Sequence, residues 1–111
     1  LDPTEIQQVL VNIIGNSIEA MEDFNSPKKK IEISSKIQND VISLTLSDHG
    51  PGISEDFAEY IFEPFESNRE DALGIGLAIS RTLVERNGGQ IEFLGNSDSG
   101  PTFEISFRVS T

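Results

Sequence analysis

The strongest constraint on the fold is a long apolar stripe with helical spacing at the start of the chain. Asp2 and Pro3 stand in the order of a helix N-cap and a first helical residue. Small or apolar residues then recur with the spacing of one helical face, at Ile6, Val9, Leu10, Ile13, Ile14, Ser17, Ile18 and Met21. This pattern predicts an amphipathic helix from about Pro3 to Asp23, whose apolar face requires a second layer.

Two predicted hairpins supply that layer. Apolar and polar residues alternate over residues 31–37 and again over residues 41–46, and the intervening Asn39-Asp40 pair is typical of a tight turn. The alternation over residues 90–94 and 102–109 predicts a second hairpin, joined by a polar turn.

Two shorter helices are predicted between the hairpins. One covers residues 54–61 with Ser54 as its cap, and the other covers residues 74–86 and ends before Gly88 and Gly89. The order helix, hairpin, helix, helix, hairpin predicts an α+β fold. We expect a two-layer α/β sandwich, in which a mixed, mostly antiparallel sheet packs on about three helices.

Composition limits the size and the partners of the domain. With 111 residues, 36% of them hydrophobic, the chain predicts a single domain over residues 1–111. The absence of cysteine excludes disulfides and thiolate metal sites. A net charge of −11 argues against a nucleic-acid partner, because such binding requires clustered basic residues.

The sequence has neither a signal peptide nor an apolar run of about 18 residues. We therefore expect this domain to be cytoplasmic. The chain starts at Leu1 without an initiator Met, which suggests a piece of a longer protein, truncated at its N-terminus. Whether that parent protein is anchored in a membrane stays open.

Asp48 ends the second predicted strand, and Gly50 and Gly52 follow it. Glycines let a flat ligand approach the backbone closely, and a carboxylate beside them can accept a hydrogen bond from an exocyclic amine. An ordinary Asp-x-Gly turn explains the same residues equally well.

Gly74 and Gly76 open the last predicted helix after a charged loop. The free N–H groups and the dipole at a helix N-terminus favour an anion such as phosphate. No Gly-Lys-Ser/Thr sequence follows, so this is not a P-loop, and a simple helix-entry turn is the alternative.

Asn12 and Asn16 lie four residues apart in the first helix and share a face with Gln8 and Glu19. A helical wheel places this face roughly opposite the apolar stripe, which favours a solvated surface. Asparagine is nevertheless a poor helix former, and an amide oxygen is a suitable ligand for Mg²⁺.

These segments occur in the order found in one family. Residues 5–20 resemble the N box of sensor histidine kinases, residues 48–52 the G1 box and residues 61–65 the F box. Residues 73–77 resemble the G2 box, and residues 99–103 are similar to the final glycine-threonine element. Five ordered boxes that cover nearly the whole chain are far more specific than any one of them.

The resemblance implies a Bergerat-type fold of the GHKL superfamily, with ATP on the sheet face opposite the helices, under a short lid at about residues 66–73. Asp48 would bind the adenine amine with Thr102 nearby, while Gly50 and Gly52 would give the base room. The residues implied for ATP binding are Asn16, Ala20, Asp48, Gly50, Gly52, Ile53, Phe65, Arg69, Gly74, Gly76, Leu77 and Thr102.

The same resemblance implies that Asn16 coordinates Mg²⁺ and that Asn12 lies near the phosphates, which makes these two the predicted catalytic residues. Backbone groups of residues 74–77 would surround the phosphates. Phe62 and Phe65 would pack at the root of the lid, although plain core packing explains them equally well.

Several positions depart from the pattern of the wider superfamily. In gyrase and the heat-shock chaperone, the position that corresponds to Asn12 resembles a glutamate that activates water. The Asn12 amide cannot act as a general base at neutral pH. This favours phosphoryl transfer over hydrolysis. Glu19 replaces a common lysine, and Ala72 replaces the first glycine of the G2 pattern. Arg69 is the candidate replacement for the lost basic contact, with a solvated loop arginine as the alternative.

The single histidine of the chain, His49, lies inside the candidate adenine turn and is a poor candidate for the phosphoacceptor. The resemblance therefore implies a histidine on a helical dimerisation domain of the same protein, in a homodimeric parent that serves a response regulator. The alternatives are a serine kinase of the GHKL type, a non-catalytic nucleotide-binding regulatory module, and a bare interaction domain.

Overall fold

The computed structural model of the protein describes residues 2–23, 25, 27, 29–53, 61–62, 72–96 and 100–108, with residues 72–76 described at the backbone. These residues form two helices and four strands. In chain order they are α1 (Pro3–Asp23), β1 (Ile31–Gln38), β2 (Val41–Asp48), α2 (Ala72–Arg86), β3 (Gly89–Asn96) and β4 (Pro101–Arg108). No helix in the described part of the chain is long and apolar enough to cross a bilayer.

The described strands form one sheet in the order β1-β2-β4-β3, and every neighbouring pair is antiparallel. The α+β prediction is confirmed, and the described sheet is antiparallel throughout instead of mixed. The turn between β1 and β2 has positive φ at Asn39 (54°) and Asp40 (64°), as a type I′ hairpin requires. Short-range turn chemistry therefore fixes the register of this hairpin.

Both helices pack on one face of the sheet. The core combines residues from α1, α2 and the sheet, which are Val9, Ile13, Leu46, Leu77, Val84, Ile91, Phe103, Ile105 and Phe107. In β4 the buried residues alternate strictly with half-buried polar ones, so the other face of the sheet is polar. A two-layer sandwich is the result.

Two of the predicted elements differ from the structure in their extent. Residues 54–60 of the helix predicted at 54–61 and the lid residues 66–71 lie outside the described residues, and Ile61, which is described, lies in a turn. The last helix begins at Ala72, two residues before the predicted start at Gly74, so residues 72–73 are helical and not part of a lid.

The apolar side of β1 is less buried than its alternation predicts. Ile33 is 51% exposed and Ile37 is 73% exposed. Their partners in β2, Leu46 and Ile42, identify the helix-facing side of the sheet. Because β1 lies at the edge of the described sheet, α1 and α2 leave these side chains uncovered.

Candidate functional site

Asp48 is buried at the end of β2, with 3% of its surface exposed. It lies two residues after Leu46, so both side chains point toward the helices. Its Oδ1 accepts the N–H of Gly50 at 2.8 Å, which closes a turn directly after the strand. The Asp48 side chain makes no other hydrogen bond to the described residues, and its second oxygen keeps acceptor capacity.

The glycines of this turn fit against the protein's own atoms. A Cβ at Gly50 would lie 2.8 Å from Asp48 Oδ1 and 3.3 Å from Met21 Cγ. Gly100 is buried with φ at 145°, and a Cβ there would meet the carbonyl oxygens of Asp48 and Gly50. These two glycines are therefore required by packing within the turn, whether or not a base lies against it.

Asn96 holds the far end of the turn, and sequence reasoning missed it. Its Oδ1 accepts the N–H of Ile53 at 2.9 Å, and its Nδ2 donates to the Ile53 carbonyl at 2.9 Å. The signal that points to this residue is Gly95, because an isolated glycine inside a strand pattern indicates a bulge.

Asn12 and Asn16 are half-buried instead of lying on a solvated surface, and Asn12 contacts α2. Asn12 Nδ2 donates to Ser80 Oγ at 3.4 Å, and Asn12 Oδ1 accepts from Gln8 Nε2 at 3.0 Å. Asn16 is half-buried, and its Nδ2 is buried without a hydrogen-bond partner among the described residues. The predicted exposure is wrong for Asn12, because α2 contacts it through Ser80, and for the half-buried Asn16, whereas Gln8 and Glu19 are exposed.

The N-terminal turn of α2 supplies free backbone donors. The N–H groups of its first residues have no partner inside the helix, and Gly74 lies among them. Gly76 and Leu77 lie further along, where N–H groups bond to carbonyls of the preceding turn. The Leu77 side chain belongs to the core. Of the predicted phosphate-binding backbone groups, Gly74 is best placed.

Thr102 is not brought to Asp48. Its Oγ1 lies 3.1 Å from the hydroxyl of Ser47, its partner across the sheet, and these side chains are on the polar face. Asp48 points to the other face. The expectation that the nucleotide lies opposite the helices does not fit the position of Asp48 either, since this carboxylate faces the helix layer.

The other predicted site residues are less informative. Ala20 and Ile53 are half-buried, and Ile53 packs against the core. Phe65 and Arg69 lie outside the described residues. Phe62 packs edge-on against Phe103, with ring centroids 6.2 Å apart, which fits the core-packing explanation.

His49 makes a polar contact on the edge of the sheet. Its Nε2 lies 3.0 Å from Glu32 Oε1 in β1, and 16% of its side chain is exposed. This contact ties the residue after Asp48 to the neighbouring strand.

The family of the chain follows from comparison with known proteins. The family model described as Histidine kinase-, DNA gyrase B-, and HSP90-like ATPase matches residues 1–111. The chain belongs to this ATPase family. The C4-dicarboxylate transport sensor protein DctB of Rhizobium meliloti (strain 1021) is 40% identical to it over 103 residues. That match covers 93% of this chain and 16% of the relative, so the chain spans a small part of that sensor protein.

Solved structures of histidine kinases share the fold of this family member. The catalytic domain of histidine kinase ThkA superimposes with a TM-score of 0.82 and 33% identity, over 96% of this chain and 68% of that one. Full-length ShkA in complex with AMPPNP matches with a TM-score of 0.76 and 25% identity, over 96% of this chain and 22% of that one. The fold is that of histidine kinase catalytic domains.

The polar side chains of the described residues are compatible with a Mg²⁺ ion that would be held mainly by water and by phosphate oxygens of a nucleotide. The described residues contain no group of three His, Cys, Asp or Glu side chains that could hold an ion. Mg²⁺ needs no such cage, because it keeps several waters and takes oxygens from substrate phosphates. The amide oxygen of Asn16 is the side-chain group on α1 that would be available as one such ligand.

Proposed function

We propose that this domain binds Mg-ATP and donates the γ-phosphoryl group to a histidine on a separate helical domain of a longer sensor histidine kinase. The observation that supports this most strongly is the side-chain nitrogen of Asn16, which is buried and has no hydrogen-bond partner among the described residues. An unsatisfied buried donor costs about 1–3 kcal/mol. A phosphate oxygen beside α1 would remove that cost.

The proposal divides the site into two ends. The base end is the turn from Asp48 to Ile53 together with Asn96 and Gly100. Here the Asp48 carboxylate would accept a hydrogen bond from the 6-amino group of adenine. Burial of this carboxylate increases the cost of leaving it unpaired, which favours a base with a donor over one with a carbonyl at the same position.

The phosphate end consists of Asn12, Asn16 and the first turn of α2. Asn16 Oδ1 would bind Mg²⁺, while its orphaned Nδ2 would donate to a phosphate oxygen. Bound there, Mg²⁺ supplies the positive charge that the triphosphate needs in a domain with a net charge of −11. The free N–H groups at the start of α2, including that of Gly74, add donors on the anion's other side.

Transfer to a protein is favoured over hydrolysis by the residue at position 12. Asn12 is an amide whose nitrogen already donates to Ser80, so it cannot remove a proton from water. In the proposed transfer, a histidine nitrogen attacks the γ-phosphorus, a P–N bond forms, and the bond to the bridging oxygen breaks. ADP leaves with that oxygen. Full-length ShkA, part of which shares this fold, was crystallised in complex with AMPPNP, which supports nucleotide binding in this family.

The partners follow from this reaction. The acceptor histidine would lie on a dimerisation domain of the same protein, in a homodimeric parent, and a response regulator would receive the phosphoryl group. The similarity to the sensor protein DctB supports this assignment. We place the domain in the cytoplasm, where ATP and response regulators are found.

Calorimetric titration of the chain with ATP, with and without Mg²⁺, tests the binding step. We expect saturable binding that is markedly tighter with Mg²⁺ and weaker for GTP. The absence of ATP binding at millimolar concentration would overturn the proposal.

Incubation of the longer parent protein with γ-labelled ATP tests the transfer step. We expect an acid-labile, base-stable label, because a phosphoramidate P–N bond hydrolyses in acid. Acid-stable label would instead indicate a serine kinase. Binding without label in the parent protein would indicate a nucleotide-binding regulatory module.

A further inference from the structure

The side-chain amide of Asn96 bonds to the main chain of Ile53 as a residue of a neighbouring strand would. Its amide oxygen accepts from the N–H of Ile53 and its amide nitrogen donates to the carbonyl of the same residue, both at 2.9 Å. Both main-chain polar groups of Ile53 are thereby satisfied by one side chain 43 positions away in sequence. Two parallel hydrogen bonds fix both the position and the orientation of this backbone segment.

A β-bulge in β3 determines the side of the sheet on which the Asn96 side chain lies. Phe93 pairs with Phe103, but Gly95 pairs with Thr102 and Asn96 with Pro101, so the register shifts between residues 93 and 95. Gly95 has φ at 104°, a conformation that favours glycine. Without the shift, Asn96 would point to the polar face, because it lies three positions after the inward-facing Phe93. The bulge turns it to the helix-facing side instead.

Asn96 and Asp48 thereby lie on one side of the sheet. β4 runs between their strands, with buried Pro101 beside Asn96 in the register. The segment after Asp48 starts at β2, and its residue Ile53 is held at the end of β3. Gly100 packs beneath its start, against the carbonyls of Asp48 and Gly50. The turn is thus fixed at both ends.

Gly52 fits against the Asn96 amide. A Cβ at Gly52 would lie 2.9 Å from Asn96 Cγ, 3.0 Å from Oδ1 and 3.1 Å from Nδ2. Since the amide is flat and held by two hydrogen bonds, it cannot move aside without losing them. The contact with Asn96 is therefore sufficient to explain the absence of a side chain at Gly52.

We infer that Asn96 is a positioning residue for the base end, which sets the conformation of residues 50–53 and through it the preference for a 6-aminopurine base. This inference rests on the proposed function. Asn96 makes no contact with the phosphate end in the described structure, so it should affect the base preference and leave the dependence on Mg²⁺ unchanged.

The first test is the variant Asn96→Ala. We expect the Ile53 amide of the nucleotide-free chain to exchange about fivefold faster, and the ratio of ATP to GTP affinity to fall about fivefold, because one hydrogen bond contributes roughly this factor. The tightening of ATP binding by Mg²⁺ should stay the same. Unchanged base preference in a variant that still binds ATP would overturn the inference.

Asn87→Ala is the matched control. The Asn87 amide also bonds to main-chain groups, since it accepts from the Asp2 N–H and donates to the Leu83 carbonyl, but it lies at the end of α2. We expect a comparable loss of thermal stability with no change in base preference. An equal change in base preference would show that Asn96 acts only through general stability.

A double-mutant cycle tests the contact with Gly52. Gly52→Ala should weaken ATP binding clearly in the presence of Asn96 and much less in the Asn96→Ala background, because the amide that it would displace is gone. An equal loss in both backgrounds would mean that Gly52 faces the nucleotide, contrary to the inference. If the unmodified chain does not bind ATP, the proposed function fails, and Ile53 exchange still reports whether Asn96 holds the turn.

Discussion

The base end and the phosphate end differ in how far the protein satisfies its own polar groups. At the base end, Asp48 bonds to Gly50, and Asn96 bonds to both polar groups of Ile53, at distances between 2.8 and 2.9 Å. At the phosphate end, the Asn16 side-chain nitrogen has no partner among the described residues, and the bond from Asn12 to Ser80 is 3.4 Å long. The turn at the base end is fixed by the protein's own hydrogen bonds, although the second Asp48 oxygen keeps acceptor capacity, whereas the buried Asn16 nitrogen has no such bond in the described part of the chain.

This difference indicates how binding energy is distributed. A preformed turn requires little ordering when a base arrives, so its contacts contribute mainly to selectivity. The phosphate end carries a cost in the free protein that the ligand removes, so its contacts contribute mainly to affinity. Substitutions at the base end should therefore change mainly the base selectivity, and substitutions at the phosphate end mainly the affinity.

Asn16→Ala should have the largest effect on affinity. It removes the proposed metal ligand and the donor to a phosphate oxygen, two charge-assisted contacts of about 1.5 kcal/mol each, so calorimetry should show roughly 100-fold weaker Mg-ATP binding. The free energy of unfolding of the free chain should not fall, because the orphaned donor is removed as well. Asn12→Ala is the comparison and should cost much less affinity; an equal loss would contradict the metal assignment.

Asp48→Asn should act on selectivity. The asparagine keeps an oxygen for the Gly50 N–H, but it replaces the second acceptor by a donor, which opposes the amino group of adenine and suits the carbonyl of guanine. We expect the ratio of ATP to GTP affinity to fall about tenfold or more. Competition titrations with the two nucleotides measure this ratio.

Asp40→Asn is the matched control, since it removes the same charge at the exposed hairpin turn between β1 and β2. It should leave the ratio unchanged. A similar change in both variants would mean that net charge, and not contact with the base, controls the preference.

The sequence predicts those parts of the molecule that depend on neighbouring residues. The bounds of α1 follow from the cap at Asp2 and the apolar spacing, and the β1–β2 turn follows from the tolerance of Asn39 and Asp40 for positive φ. The order of the five boxes was sufficient to identify the family. In each case the determining residues are close in sequence or recognised as a pattern.

The parts that depend on distant packing were not predictable in the same way. A helical wheel of α1 does not include α2, so it does not predict the contact between Asn12 and Ser80. Alternation in β1 does not reveal that this strand lies at an edge, where Ile33 and Ile37 stay exposed. Thr102 was expected beside Asp48 although it directly precedes the inward-facing Phe103, and strict alternation already places it on the other face.

Ser80→Ala should have the smallest effect and is the finest test of the comparison between the two ends. Ser80 is fully buried, and its hydroxyl is the only described acceptor for Asn12 Nδ2. Because that bond is long, we expect Mg-ATP affinity to fall only about twofold to threefold. Thr82→Ala removes a hydroxyl from the exposed side of the same helix and should leave the affinity unchanged.

The double variant Asn12→Ala/Ser80→Ala decides whether the two residues act as one unit. If Ser80 acts only by orienting Asn12, the double variant should bind Mg-ATP no more weakly than Asn12→Ala alone. Additive losses would show that Ser80 acts independently of Asn12. The phosphate end would then depend on the position of α2 itself, and not on a single hydrogen bond that links α2 to α1.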